Sequence, residues 1–313
     1  MTKPKIVAVV GHTASGKTGL AIALAERLGG EIVCCDSMQI YREMDIGTAK
    51  PTPEELARVP HHTVDFVDPM RPYSCAEYAE DAERAINDIL SRGKLPIICG
   101  GTGLYLDTLL FERPFDECGG RSAVRERLER EAEELGAHAL HLRLQSVDPE
   151  SAEKIHENNV RRVIRALEIF ETTGKKKSEL DARSSPAKYD FLAFELRRTD
   201  MAERYSRIET RVDEMIAAGL LEETKKLLGM DIFEQNPTAA QAIGYKEILG
   251  YVRGEMSLAD ARERLCIATR QYAKRQVTWF GAKNYIETVE LRPDLGDPTD
   301  ALCTRIEEWL LRA

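Results

Sequence analysis

The sequence predicts an α/β fold, in which a parallel β-sheet is flanked by helices. An apolar run, Ile6 to Val10, has the composition of a buried parallel strand. The glycine-rich stretch Gly11 to Thr18 follows directly and has the pattern G-x-x-x-x-G-K-[ST]. Apolar residues then recur at helical spacing from Gly19 to Leu28. A strand, a glycine-rich loop and a helix in this order indicate a phosphate-binding loop and a P-loop NTPase-like sheet.

The stretch from Gly11 to Thr18, called the phosphate loop below, predicts which groups contact phosphate. Its glycines allow backbone N–H groups to converge on phosphate oxygens, and the helix N-terminus adds positive potential. Lys17 is expected to reach the outer phosphate, and the Thr18 hydroxyl to bind Mg²⁺. The expected phosphate-contacting residues are Gly11, Thr13, Ala14, Ser15, Gly16, Lys17 and Thr18.

Composition places the chain among soluble globular proteins of one large or two smaller domains. Of its 313 residues, 31% are charged and 43% are apolar, and no apolar run is long enough to span a bilayer. The N-terminus shows no signal-peptide pattern, and we expect a cytoplasmic protein with buried, reduced cysteines at 34, 35, 99 and 266. A net charge of −9 argues against indiscriminate nucleic-acid binding, although it leaves room for a local basic surface.

A second predicted strand, Glu31 to Asp36, ends in a carboxylate. Ligands of parallel sheets bind at the carboxyl ends of strands, so Asp36 is expected to point toward the phosphate loop. Asp36 could hold Mg²⁺ through water, as in nucleotide hydrolases, or act as a general base on an acceptor. Spacing alone favours the first of these two hypotheses.

The pattern continues with alternating helices and strands up to a second glycine loop, Gly100 to Gly103. Its Thr102 could present a hydroxyl to a ligand, or the loop could simply begin the next helix. The predicted elements are a helix over Pro51 to Val59, a strand over Thr63 to Val67, a helix over Ser74 to Arg92 and a strand over Leu95 to Cys99.

A change of organisation at Pro114 to Arg121 predicts an all-helical insertion over 116–188, with a core formed by 1–115 and 189–313. The helical period dominates from Ala123 to Leu180, and a linker is expected from Lys175 to Lys188. Three arginines within the insertion could grip a phosphate backbone, or could form a solvated face paired with glutamates, which spacing favours. They are Arg161, Arg162 and Arg165.

The remaining chain predicts a return to the sheet, followed by long helices. On the helix from Met201 to Ala218, Arg207 and Arg211 share a face, and one could neutralise a leaving group if that face meets the phosphate loop. A stretch from Arg270 to Trp279 interleaves cations with aromatics, as phosphate contacts and base stacking would require; the aromatics could equally pack inward. The other elements are a strand over Tyr189 to Leu196, helices over Ala239 to Val252 and Ser257 to Phe280, a strand over Tyr285 to Leu291 and a helix over Thr299 to Leu311.

Several motifs occur together in a fixed order, and the combination is more specific than any one of them. The motifs are GHTASGKT at 11–18, DSMQIY at 36–41, MDIGTAKP at 44–51, GGTGLY at 100–105, NVRRVIRALE at 159–168, QAIGYKE at 241–247 and TRQYAKRQVTW at 269–279. With these motifs, the chain resembles the bacterial tRNA dimethylallyltransferases, or isopentenyl-tRNA transferases, of the IPP transferase family from residue 5 to about 283. His12 departs from this pattern, since some members have Pro there.

The resemblance implies that the phosphate loop holds dimethylallyl diphosphate with Mg²⁺ on Thr18. The dimethylallyl group would pass to the exocyclic amine of the adenine 3′ of the anticodon, in tRNAs that read codons beginning with U. The resemblance makes Asp36 the general base and gives Lys17, Thr18, Arg207 and Arg211 to the diphosphate. The residues it assigns to the tRNA anticodon stem-loop are Asp36, Ser37, Met38, Gln39, Thr102, Arg161, Arg162, Arg165, Gln241, Gly244, Tyr245, Lys246, Lys274, Arg275, Gln276 and Trp279.

Two other functions fit part of the pattern: a P-loop kinase of a small metabolite, and a nucleotide-gated RNA-binding module. The kinase leaves the clustered arginines and the loop from Gly47 to Pro51 without a role. No Asn-Lys-x-Asp motif for guanine is present in the sequence. We expect a monomer whose partners are the prenyl diphosphate and tRNA, with no membrane association.

Overall fold

The computed structural model describes residues 3–112, 122–181, 185–292 and 294–312, and these residues form two compact units. The first unit comprises Met1–Leu110 and Lys188–Ala313, and the second comprises Phe111–Ala187. The predicted change of organisation at Pro114 to Arg121, with the predicted boundary at 115/116, lies outside the described residues.

The first unit is built on a parallel sheet of the strand order β3-β2-β4-β1-β5-β6. The predicted α/β class with a P-loop-like sheet is confirmed. The central strands are continuously buried because helices cover both faces, which is why they read as unbroken apolar runs. The strands are β1 (Lys5–Gly11), β2 (Gly30–Cys35), β3 (His61–His62), β4 (Leu95–Gly100), β5 (Asp190–Arg198) and β6 (Glu287–Leu291).

Some helices of the first unit begin at a side-chain cap that the sequence supplies. Thr52 and Ser74 each form a capping box with the glutamate three residues later, and Ser257 caps the longest helix. The helices are α1 (Lys17–Leu28), α2 (Pro53–Arg58), α3 (Cys75–Ser91), α4 (Gly103–Leu110), α10 (Met201–Ala217), α11 (Leu220–Gly229), α12 (Ile232–Gln235), α13 (Tyr245–Val252), α14 (Leu258–Gly281) and α15 (Thr299–Leu310).

In the second unit, the regular secondary structure of the described residues is helical, apart from an isolated bridge between Phe111 and Ala187. Its core includes Leu128, Leu144 and Leu167, each from a different helix. Its helices are α5 (Ala123–Leu135), α6 (Ala137–Val147), α7 (Pro149–Lys154), α8 (Val160–Thr173) and α9 (Lys177–Asp181).

The linker predicted from Lys175 to Lys188 is wrong in part, because α9 lies within it. The backbone N–H and hydroxyl of Ser178 both donate to the buried Asp148 carboxylate, at 3.0 and 2.6 Å. This tether to α7's N-cap gives a short, intrinsically weak helix a fixed place in the unit.

The strand predicted from Thr63 to Val67 is also wrong. The edge strand is the short β3, and Val67 makes only an isolated bridge with Tyr41. Thr63 and Asp65 have φ of 55° and 54°, a left-handed conformation that interrupts an extended strand.

The continuous helix predicted from Ala239 to Val252 is broken. A 3₁₀ turn, Ala239–Gln241, precedes a non-helical segment, and α13 begins only at Tyr245. Gly244 has a φ of 115°, so the chain turns sharply there before it re-enters a helix.

Buried cysteines at 34, 35, 99 and 266 are free thiols, as expected of core residues. No helix among the described residues combines the length and the apolar character that crossing a bilayer requires.

Candidate functional site

The phosphate loop lies at the carboxyl end of β1, where helices α10 and α14 of the first unit reach it. From α10, the Arg207 Nε donates to the Ala14 carbonyl at 3.0 Å, and an Arg211 Nη1 donates to the Thr13 hydroxyl at 3.2 Å. Ala14 also packs against Ile208 of the same helix. The face of α10 that carries both arginines therefore meets the loop, although Arg207 itself is exposed.

One backbone amide of the phosphate loop is already engaged. The Thr13 N–H donates to the Gln276 side-chain oxygen at 2.8 Å, and the Gln276 amide donates to the Gly101 carbonyl at 2.9 Å. The Thr13 amide therefore already has an acceptor in this structure, and its contact with phosphate stays a prediction. Gln276, buried on α14, joins the two glycine loops and also lines the larger cavity described below.

The side chain of Ser15 is buried, and its hydroxyl makes no hydrogen bond with a described residue. Its backbone N–H donates to the His12 carbonyl at 3.2 Å. The Ser15 amide therefore helps to shape the loop, whereas its hydroxyl has no partner among the described residues. Gly11 is the last residue of β1, the strand that anchors the loop.

His12, which departs from the sequence pattern, is fully buried, and burial lowers its pKa to about 4. Its Nδ1 is 2.7 Å from the Thr13 carbonyl, which assigns the proton of the neutral ring to Nδ1. A neutral imidazole adds no positive charge to the loop.

A cavity of about 200 Å³ opens between the phosphate loop and the end of β2. Its lining includes Gly16, Lys17 and Thr18 from the loop and the start of α1, together with Asp36 and Arg211. Burial lowers the pKa of Lys17 and that of Arg211. Both side chains are half-buried, so a bound anion would offset the solvation that they have lost.

Asp36 follows β2, with β4 between β2 and β1 in the sheet. The Met38 and Gln39 backbone N–H groups donate to its Oδ1, at 3.0 and 3.4 Å. No described residue donates a hydrogen bond to Oδ2. Burial raises the pKa of Asp36, although these hydrogen bonds and the nearby Lys17 charge oppose the rise. The carboxylate is therefore held in place through one oxygen and is more basic than an ordinary aspartate.

Thr102, in the second glycine loop, fixes the chain beside Asp36. The Ser37 N–H donates to the Thr102 hydroxyl at 3.0 Å, and the Thr102 N–H donates to the Cys35 carbonyl at 3.1 Å. The two hydroxyls of Ser37 and Thr102 lie 3.3 Å apart. The second glycine loop begins α4, as one alternative expected, and it also brings Thr102 to the end of β2. A contact between the Thr102 hydroxyl and a ligand stays a prediction.

A second cavity of about 370 Å³ adjoins the first, and Lys17, Asp36, Gln39, Ala49 and Arg211 line both. Its remaining wall is part apolar and part cationic. That wall includes Met38, Val212, Met215, Gln241, Ile243, Lys246, Leu265, Tyr272 and Arg275. Tyr272 was not among the predicted site residues; the Arg275 guanidinium lies 5.6 Å from its ring centre.

Several residues assigned to RNA by the sequence have structural roles. Tyr245 is fully buried and donates its hydroxyl to Glu223 at 2.7 Å, so its ring offers no surface to RNA. A Cβ on Gly244 would lie 2.9 Å from the Gly47 carbonyl oxygen. Both support the loop around Gly47 instead of facing solvent.

Trp279 packs against the backbone at the start of α4. A Cβ on Gly103 would lie 2.2 Å from the indole ring, and the Lys283 ammonium lies 4.9 Å from the ring centre. Trp279 is half-buried, so at most one edge is open to a base, whereas Lys274 on the same helix is exposed.

Among the three arginines of α8, Arg161 and Arg162 are exposed and Arg165 is not. The Arg165 guanidinium donates to the fully buried Glu168 at 2.8 Å. Glu168 also accepts from Arg125 at 2.7 Å and from the Ser122 hydroxyl at 2.5 Å. Arg165 therefore belongs to a network within the second unit, which is the paired-glutamate alternative that spacing favoured.

Oxygen ligands for Mg²⁺ are present in the first cavity. The Thr18 hydroxyl and the Asp36 carboxylate both line it, beside the loop that would supply phosphate oxygens from a ligand. Mg²⁺ prefers a few protein oxygens together with water and phosphate, so the residues present fit this ion.

The fold and this site define a P-loop-like α/β protein with a cavity lined by Lys17, Arg211 and the Asp36 carboxylate. The model of the IPP transferase family matches residues 39–283, and that of isopentenyl transferases matches residues 4–64. The chain belongs to the IPP transferase family.

Similar proteins match this sequence along nearly its whole length. The tRNA dimethylallyltransferase of Bacillus cytotoxicus is 49% identical over 282 residues, covering 90% of this chain and 88% of the relative. The full-length tRNA isopentenylpyrophosphate transferase of Bacillus halodurans is 40% identical, with a TM-score of 0.72 and coverage of 98% and 96%. A eukaryotic dimethylallyltransferase described as acting on tRNA is 33% identical, with a TM-score of 0.83, covering 97% of this chain and 78% of the other.

Proposed function

We propose that this protein transfers the dimethylallyl group of dimethylallyl diphosphate to the N6 amine of the adenine 3′ of the anticodon, in tRNAs that read codons beginning with U. The observation that carries the proposal is the shared wall of the two cavities. Lys17, Asp36 and Arg211 line both, so a phosphate-bound donor in one and an acceptor in the other would meet at these groups. The family and its named tRNA-modifying relatives support the choice of donor and acceptor.

In the donor cavity, the diphosphate would lie on the amides at the start of α1, whose first-turn N–H groups lack intrahelical acceptors. As the C–O bond breaks, its electron pair goes to the diphosphate oxygen. Lys17, Arg211 and Arg207 would stabilise this charge, and burial makes the first two more effective. Mg²⁺ held by Thr18 would supply further positive charge at the diphosphate.

In the acceptor cavity, the adenine N6 would attack the allylic carbon and lose a proton to Asp36. The amine is a poor nucleophile because its lone pair is delocalised into the ring, so a base is needed. Asp36 Oδ2 is the oxygen available, since backbone amides occupy Oδ1. General-base assistance of this kind typically contributes about 10²–10⁴-fold.

The adenine would have to leave the anticodon stack to reach Asp36, as in other enzymes that act on bases. Met38, Gln241 and Tyr272 line the cavity it would enter, and Lys246 and Arg275 are cations at the same cavity. We also propose that the exposed Lys274 of the first unit and the exposed Arg161 and Arg162 of the second unit contact tRNA phosphates. The protein would act as a cytoplasmic monomer.

The direct test incubates unmodified tRNA with Mg²⁺ and labelled dimethylallyl diphosphate, in parallel with γ-labelled ATP. The proposal expects prenyl label in the adenine 3′ of the anticodon in tRNAs for U-starting codons, and no label from ATP. Transfer or release of γ-phosphate without prenyl transfer would support a kinase or a nucleotide-gated module instead.

A further inference from the structure

Glu223, on α11, receives an unusual set of hydrogen bonds from a distant part of the chain. Its carboxylate accepts the backbone N–H groups of Asp45, Ile46 and Gly47, at 3.1, 2.9 and 2.9 Å. The Tyr245 hydroxyl donates to the same carboxylate at 2.7 Å. Three consecutive amides and a phenol therefore converge on one side chain, and nothing in the sequence around residue 223 signals this.

These contacts hold one end of a loop, residues 45–50, that belongs to the site. Bonds from N–H groups to a carboxylate are charge-assisted and stronger than bonds between neutral groups. A Cβ on Gly47 would lie 2.5 Å from the Tyr245 ring, so the loop backbone lies directly on that buried ring. Only glycine permits this approach, which explains part of the pattern at 44–51 without any contact to a ligand.

The other end of the 45–50 loop is joined to Asp36 through Gln39. The Gln39 side-chain amide donates to the carbonyls of Thr48 and Ala49, at 3.1 and 2.8 Å. The Gln39 backbone N–H in turn donates to Asp36 Oδ1 at 3.4 Å. The Lys50 ammonium adds a cross-link within the loop by pairing with Asp45 at 2.5 Å.

The loop held in this way is a wall of both cavities. Ala49 lines the donor cavity and the acceptor cavity, and Gly47 and Thr48 line the acceptor cavity. Glu223 itself lines neither. Any effect of this carboxylate on a bound substrate must therefore pass through the loop.

We propose that Glu223 is a positioning residue, which holds the 45–50 loop as the wall shared by the two substrate cavities and keeps Gln39 against Asp36. This inference rests on the proposed function for its kinetic consequence. The hydrogen bonds from the loop to Glu223, called the clamp below, can be measured without any substrate.

The experiment replaces Glu223 with Gln in the full-length protein. The amide of Gln would set an N–H group against the loop N–H groups, so the clamp loses its charge and part of its hydrogen bonding. Hydrogen exchange of the peptide spanning residues 44–49 should become about tenfold faster. The KM for dimethylallyl diphosphate should rise about tenfold while kcat changes much less, because the donor-cavity wall is displaced.

Glu222→Gln is the matched control, because Glu222 is an exposed neighbour on the same helix. It should leave both exchange and KM unchanged. Tyr245→Phe removes one hydrogen bond from the Glu223 carboxylate and keeps the ring, so it should give a smaller change of the same sign.

The outcomes separate the two proposals. Unchanged exchange in Glu223→Gln overturns the clamp, and so does a loss of kcat at constant KM that tracks the folded fraction measured by thermal unfolding. If the wild-type protein transfers no prenyl group, the proposed function fails. The clamp is then judged by exchange alone, where the tenfold acceleration supports it and its absence overturns it.

Discussion

The phosphate loop and α8 both carry clustered positive charge, but the two regions use it differently. Around the phosphate loop, Lys17 and Arg211 converge on a cavity in which burial lowers the pKa of each. On α8, Arg165 instead neutralises the buried Glu168, and Arg161 and Arg162 lie on the surface.

The contrast shows that a cluster of cations predicts no function until its partners are known. Buried cations without a complete set of anionic partners favour an anionic ligand, whereas a cation that neutralises a buried carboxylate is part of the fold. The following predictions test this contrast, beginning with the largest expected effect.

Asp36→Asn should lower turnover by about 10²–10⁴-fold, because an amide cannot accept the proton from the adenine amine. The tRNA dissociation constant should stay within a few-fold of the wild-type value. Single-turnover transfer and a tRNA-binding titration measure the two quantities. Asp300→Asn, at an exposed aspartate on α15, is the control. Near-normal turnover in Asp36→Asn would show that this carboxylate is not the base.

Lys17→Ala should lower kcat/KM for dimethylallyl diphosphate by about 10²–10³-fold, the cost of losing one donor to a developing negative charge. Steady-state kinetics at saturating tRNA measure this change. Lys225→Ala, at an exposed lysine of α11, should behave as the wild type. Equal effects in the two variants would place the diphosphate away from the phosphate loop.

The pH dependence of kcat/KM should show an acid limb that belongs to Asp36. Because burial raises its pKa, the base is protonated at a higher pH than the ordinary aspartate value of 3.8. Activity should fall about tenfold per pH unit below that raised pKa, as the unprotonated fraction falls. The residual activity of Asp36→Asn should lack this limb, and a persisting limb would assign it to another group.

Arg165→Ala and Arg162→Ala should separate stability from RNA binding on α8. Arg165→Ala should lower the free energy of unfolding by about 1.5–3 kcal/mol, since Glu168 loses one charged hydrogen bond while it keeps Arg125. Arg162→Ala should leave stability unchanged and reduce the salt slope of tRNA binding by about one.

Denaturant unfolding and binding titrations at several salt concentrations make this comparison. Reversed results would mean that Arg162 is structural and that Arg165 contacts RNA.

Much of the site could be predicted because its signal is local. The strand, glycine loop and helix that form the phosphate loop are consecutive in the chain, and so are β2 and the Asp36 that follows it. The spacing of Arg207 and Arg211 also predicted a shared face, although only the fold could bring that face to the loop.

Other parts depend on contacts between residues far apart in sequence. Gln276 was predicted to contact RNA, which stays a prediction, and its bonds to the two glycine loops could not be foreseen, because a side chain in a cationic helix gives no sign of what its buried face meets. The left-handed residues Thr63 and Asp65 ended a strand that their composition favoured. The helix predicted over Ala239 to Val252 breaks where Gly244 passes close to Gly47.

The sequence by itself determined the parallel sheet, the phosphate loop and the family, because each depends on short-range pattern or on motifs in order. The tertiary structure alone decided which cations face the cavity and that Glu223 holds the 45–50 loop. These depend on contacts between residues far apart in the sequence, 198 positions for Arg211 and Thr13 and 178 positions for Glu223 and Asp45, and no local preference encodes such a meeting.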